Sequence, residues 1–149
     1  MLDTYKVLSR IKEIRRRIGL MEEKFKPLSE EELTKNDVLN DAAEHSLQIA
    51  IQACIDIANH IVASLGLSRN FESVSEVFYE LAKEHIIDGD FANIMISVAG
   101  YRNVVVNGYL EVQRKITYDN IQKRPPDLAK FAQCIEEFLE KYEKSKNKP

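Results

Sequence analysis

IMISVAGYRNVVVNGYLEV, residues 94–112, is the stretch that decides the fold. Its β-branched content, with valines at 104, 105 and 106, admits a strand. Its spacing argues for a helix: Ile94, Val98, Tyr101, Val105, Gly108 and Val112 step by 4, 3, 4, 3 and 4 residues. Packing routinely overrides intrinsic propensity, so the periodicity decides, and one helix is predicted from an Asp90 N-cap to about Val112.

Working outward, Ser73 and Glu76 form a capping-box pair that opens a helix through Val74, Val77, Phe78, Leu81 and Ala82, ending before Asp88-Gly89. Upstream, Leu47, Ile51, Cys54, Ile55, Ala58, Ile61, Val62 and Leu65 give a long helix from about Asp37, wide enough in its apolar stripe to touch two neighbours and stopped by Gly66. Leu8, Ile11, Ile14, Ile18 and Met21 predict a first helix over about residues 3–25, ended by Pro27. Ser29 with Glu32 is another capping box. Downstream, Thr117 to Asn120 start a short turn or helix that Pro125-Pro126 break. A last helix turns Leu128, Phe131, Ile135, Phe138 and Leu139 inward, and a tail from about residue 143 frays. The expectation is an all-α antiparallel bundle of four main helices plus short ones, one domain over residues 1–149.

Composition agrees. Apolar residues make up 44% and charged residues 30%, as in a globular chain and unlike a disordered one. No uninterrupted run of about 18 apolar residues argues for a membrane span. The start, MLDTYKVLSR, lacks the apolar core of a signal peptide, so a cytoplasmic location is expected. Cys54 and Cys134, far apart in apolar helical patterns, read as buried free thiols of a reduced compartment. The net charge of −3 hides an asymmetry: residues 1–26 carry +4, residues 27–100 carry −10 and residues 101–149 carry +3. That balance argues against indiscriminate nucleic-acid binding and leaves room for a local basic groove. The run Arg10, Lys12, Arg15, Arg16, Arg17 reads first as a solvated helix face.

Chemistry concentrates in Tyr101 to Tyr109. On one continuous helix Arg102 and Tyr109 fall roughly 20° apart, and Asn103 and Asn107 are i, i+4 neighbours on an adjacent face. A guanidinium can clamp a phosphate, and the amides can position a ribose hydroxyl or phosphate oxygen. The plainer alternative is a polar seam between helices, with Arg102 paired to Asp56 or Glu44. Asp37, Asp41 and Glu44 have a spacing that permits a metal, but acids at a helix start are expected from its dipole, so no metal site is assigned. Tyr101, Tyr109 and Tyr118 could stack bases, although Tyr101 sits on the apolar stripe and reads as core.

The segment Arg102-Asn103-Val104-Val105-Val106-Asn107-Gly108-Tyr109 resembles the R-x4-H-x-Y signature of the HepT-like proteins, small all-helical members of the HEPN superfamily. The order of elements resembles theirs over nearly the whole chain. The resemblance implies the toxin of a two-gene toxin–antitoxin pair, a metal-independent endoribonuclease without cofactor. It implies a homodimer whose paired motif helices line a positive cleft for the RNA substrate. It also implies a partner, an MntA-like minimal nucleotidyltransferase antitoxin, that attaches AMP to the motif tyrosine. Carried over, Arg102 holds the phosphate, Asn103 is the supporting polar residue, residue 107 is the acid/base position and Tyr109 is the AMP acceptor.

Residue 107 departs from the pattern: the family has His where this chain has Asn107. Metal-free cleavage moves protons at the 2′-hydroxyl and the leaving oxygen, and imidazole titrates near neutrality while an amide does not. Weak or absent cleavage is therefore expected. The Asn is a natural variant, or an engineered inactivating change, or another histidine (His45, His60 or His85) substitutes. A non-catalytic HEPN module that partners a nucleotidyltransferase is the alternative function.

Overall fold

The structure, a computed structural model, describes residues 2–67, 73–107 and 109–147, with the side chains of residues 105–107 outside the description. Among these residues every regular element is helical: α1 (Thr4–Leu20), α2 (Glu30–Thr34), α3 (Asp37–Ser64), α4 (Val74–Lys83), α5 (Gly89–Asn107), α6 (Leu110–Lys123) and α7 (Pro125–Lys146). A π-helical turn, Met21–Phe25, extends α1. The four longest, α1, α3, α5 and α7, are the main helices of the expected bundle.

α3 is the central element. It packs on α1 most extensively and also touches α4, α5, α6 and α7. By length and composition it could cross a membrane, contrary to the reading from uninterrupted apolar runs. Its apolar residues are instead buried by the surrounding helices, from Ala43 and Leu47 through Ile51, Cys54 and Ala58 to Val62. Helix ends follow local chemistry. Ser29 and Glu32 close the predicted capping box, each side chain bonding the other's backbone N–H. Asn36 caps α3 by accepting from the Leu39 N–H. Gly66, at φ +70°, ends it in the left-handed conformation that glycine takes without a Cβ clash.

Several predicted boundaries move. α4 stops at Lys83, not at the approach to Asp88, because His85 adopts φ +60°. The Ile86 N–H then bonds the Leu81 carbonyl, a Schellman-type end that turns Ile86 and Ile87 into the core. Asp88, not Asp90, caps α5, its carboxylate accepting from the Phe91 N–H at 2.7 Å. The predicted helix to Val112 is two helices, since Tyr109 has extended backbone and stands as the N-cap of α6. α6 then runs unbroken through Thr117 to Asn120, where only a short piece was expected. α7 begins on Pro125 and is helical to Lys146, past the predicted start of the tail; residues 148 and 149 lie outside the described part. Cys54 is buried as predicted, but Cys134 is only half-buried.

The phase of two faces also differs. Leu8 is exposed and Val7 is core; Ile94 and Val112 are exposed while Phe91 and Met95 are core. Val105 and Gly108 of the predicted stripe lie outside the described side chains. The arginines of α1 are ion-paired: Arg10 with Asp56 of α3, Arg15 with Glu136 of α7, and Arg16 and Arg17 with Glu13. Such half-exposed pairs contribute at most about 1 kcal/mol each.

Two polar contacts set the position of α6. The Tyr101 hydroxyl meets the Thr117 hydroxyl at 2.7 Å in a buried contact between α5 and α6. Arg124 donates to Ser97 on α5 at 2.8 Å and to Asp127 at 3.2 Å. Tyr101→Phe leaves a buried Thr117 hydroxyl without its partner and should cost about 1–3 kcal/mol by thermal unfolding. The double change with Thr117→Val should recover much of it; no recovery would show that the hydroxyl pair is not the cause.

Candidate functional site

The motif helix α5 is anchored on its core side and open at its C-terminal end. Phe91, Met95, Val98 and Tyr101 are buried, whereas Asn103 and Val104 are exposed. Burial pushes the Tyr101 phenol far above its usual pKa, so Tyr101 is a neutral core residue, as its place on the stripe predicted. Arg102 comes next and is half-buried. Neither acid proposed as its partner serves it: Asp56 is engaged by Arg10 and Gln52, and Glu44 accepts from Gln48. Among the described residues Arg102 forms no ion pair, which removes the polar-seam alternative in the form first considered.

A groove of about 440 Å³ opens between the start of α4 and the C-terminal half of α5. Arg102 and Asn103 line it, with Ser73, Ser75, Ile96 and Gly100. On the other side of the α5–α6 junction a second groove, about 510 Å³, is lined by Glu30, Lys35, Leu110, Glu111, Arg114 and Lys115. Its cations are already matched. Arg114 bonds Asp37 and the Thr34 carbonyl, and Lys115 bonds Glu30 and Asp119, which raise its pKa. Among the described residues the guanidinium of the junction that has no ion pair, Arg102, thus lines the groove on the α4 side.

Tyr109 lies at the N-cap of α6, 87% exposed. It does not share an edge of one helix with Arg102, as the continuous-helix reading required, because Tyr109 has extended backbone and begins a second helix. Asn107 is the last residue of α5, and its side chain is outside the described residues. Val104, Leu110 and Val112 form exposed apolar surface around the same junction.

The three histidines are placed as follows. His60 accepts the Asp3 N–H at 2.9 Å through Nε2, and burial with the nearby Lys6 charge lowers its pKa, so it serves α1 as a neutral acceptor. His85 lies before the start of α5, about 20 Å along that helix from Arg102. His45 stands exposed on α3. Asp37, one of the acids weighed for a metal, is paired with Arg114. Tyr118 is partly buried, with the Lys115 ammonium 5.5 Å from its ring centre. The sequence reading overlooked the α4–α5 groove, whose one local signal is Gly100, a glycine inside a helix with no turn to make.

Comparison with known proteins agrees with the family resemblance. The ribonuclease HepT-like family model matches residues 8–135. The mRNA nuclease HepT of Shewanella oneidensis is 31% identical over 99 residues, 65% of this chain and 72% of that protein. A tri-AMPylated Shewanella oneidensis HEPN toxin, solved in complex with its MNT antitoxin, superposes with a TM-score of 0.77 at 27% identity, covering 91% of this chain and 98% of the toxin. A toxin–antitoxin structure with AMP-PNP gives the same TM-score at 27% identity over 91% of this chain and 99% of its own. With residues 8–135 matched, the chain belongs to the ribonuclease HepT-like family.

Proposed function

We propose that this chain is the toxin of a cytoplasmic toxin–antitoxin pair, built as a metal-independent endoribonuclease and neutralised by a minimal nucleotidyltransferase that AMPylates Tyr109. The observation that carries the reading is the α5–α6 junction, where Arg102, a guanidinium without an ion pair among the described residues, and Tyr109, a nearly fully exposed phenol, lie seven residues apart. Arg102 holds the scissile phosphate and stabilises its developing charge. Asn103 supports it. Residue 107 is the position from which a proton is moved, and an amide there leaves cleavage weak or absent. Two chains pair through the apolar surface of Val104, Leu110 and Val112, which places two Arg102 side chains along one cleft. The mRNA nuclease relative and the AMPylated toxin bound to its antitoxin support this reading.

Exposure makes Tyr109 an accessible acceptor. Its phenolic oxygen attacks the α-phosphorus of ATP held by the antitoxin, pyrophosphate leaves and the phenolic proton is lost to solvent. Incubation with the cognate nucleotidyltransferase and ATP should add whole AMP units to the intact chain, read by mass spectrometry. Tyr109→Phe should abolish the adduct and leave the melting temperature within about 1 °C, because the hydroxyl is in solvent. An adduct that persists in Tyr109→Phe would move the acceptor elsewhere.

A further inference from the structure

Gly100 lies in the interior of α5, where glycine weakens a helix relative to alanine. Among the described residues nothing requires it. Its φ is not positive, and a Cβ built there meets no atom within 4 Å. The space beside it is the groove of about 440 Å³ shared with Ser73, Ser75, Ile96 and Arg102. Ile96, Gly100 and Asn103 step by 4 and 3 residues and so share one stripe of α5. Among the described residues, a glycine with open space in front of it, a half-buried cation without an ion pair and hydroxyl groups on the groove's α4 side describe a surface shaped for a ligand.

The geometry points to a nucleotide subsite in the α4–α5 groove, which seats the RNA residue next to the scissile phosphate. This rests on the reading of the chain as an RNA-directed toxin and adds to it the path of the strand on the protein. The flat side of Ile96 and the bare backbone at Gly100 let a sugar or base edge approach closely. Arg102 takes the phosphate at one end of the groove. Ser75 and Ser73 on the facing wall offer hydroxyls to a ribose or phosphate oxygen; Ser73 accepts the Glu76 N–H and keeps its own proton to donate. Such a lining, a cation with hydroxyls over a small apolar floor, matches an anionic, hydroxyl-rich ligand better than an apolar protein face. The exposed apolar residues Val104, Leu110 and Val112 are not among those that line it.

The test fills the groove without disturbing the fold. Gly100→Leu places a side chain in the open space, and its melting temperature should hold or rise, since a better helix former replaces glycine. Its affinity for a labelled single-stranded oligoribonucleotide, measured by fluorescence anisotropy at one fixed salt concentration, should fall about tenfold or more. Gly100→Ala should lose much less, and Ser75→Ala should weaken binding about three- to tenfold. Unchanged affinity in Gly100→Leu, with Arg102→Ala clearly weakened, overturns the subsite and leaves the ribonuclease reading standing. A changed oligomeric state of Gly100→Leu by light scattering also overturns it, and assigns the groove to protein contact. No RNA binding by the unsubstituted chain overturns both readings.

Discussion

Asn107→His is expected to raise metal-independent RNA cleavage by about 10²–10⁴-fold, the usual contribution of a positioned general acid or base. The two chains would be compared at equal concentration with a chelator present. The argument is one of protonation chemistry. Cleavage through a 2′-hydroxyl needs that proton removed and the leaving oxygen protonated, and an amide can hydrogen-bond both atoms without exchanging a proton with either. Imidazole, with an ordinary pKa of about 6.5, does both near neutral pH. The gain should therefore carry a pH profile that follows imidazole titration, while any residual activity of the Asn107 chain should not. Adding Arg102→Ala to the histidine variant should remove the gain, since proton transfer without charge stabilisation leaves most of the barrier in place. Equal cleavage by both chains would take residue 107 out of the chemistry. No cleavage by either would favour a binding module whose task is to present Tyr109 to its partner. The placement of His60 and His85 sharpens the comparison, because one is committed to a backbone N–H and the other lies at the far end of α5.

Phe131→Ala should destabilise the fold by about 3–5 kcal/mol, the range for emptying a fully buried aromatic site. Phe131 of α7 has no exposed surface and meets Phe78 of α4 edge to face, with ring centres 5.9 Å apart at 87°. That contact joins two helices distant in sequence, so the cavity cannot be closed by a local shift. Against a typical domain stability of about 5–15 kcal/mol, the loss is a large fraction of the whole. Urea unfolding should show a lower midpoint with an unchanged slope. Phe138→Ala, on the same helix but only partly buried, should lose clearly less. A loss below about 1 kcal/mol in Phe131→Ala would mean that the α4–α7 contact is not part of the cooperative core.

The features legible in the sequence are those governed by interactions within four or five residues. The Ser29–Glu32 box, the end of α3 at Gly66 and the helicity of the valine-rich segment through Asn107 depend on backbone groups that a residue reaches in its own turn. The candidate site residues stood out for a different reason: Arg102 and Tyr109 interrupt an apolar pattern with groups whose chemistry is independent of their neighbours. Tertiary structure decided the rest. Whether Val7 or Leu8, and Met95 or Ile94, faces inward depends on which sector of a helix its partners cover, and adjacent residues lie about 100° apart. The break at Tyr109 lets α6 lie along α2 and α3, where Thr117, Arg114 and Arg124 find partners that no local pattern announces. The same folding joins the arginines of α1 to acids of α3 and α7 and leaves Arg102 without an ion pair among the described residues. A lone arginine and a paired one are the same letter in a sequence, because the nearest opposite charge is set by packing between helices and not by position along the chain.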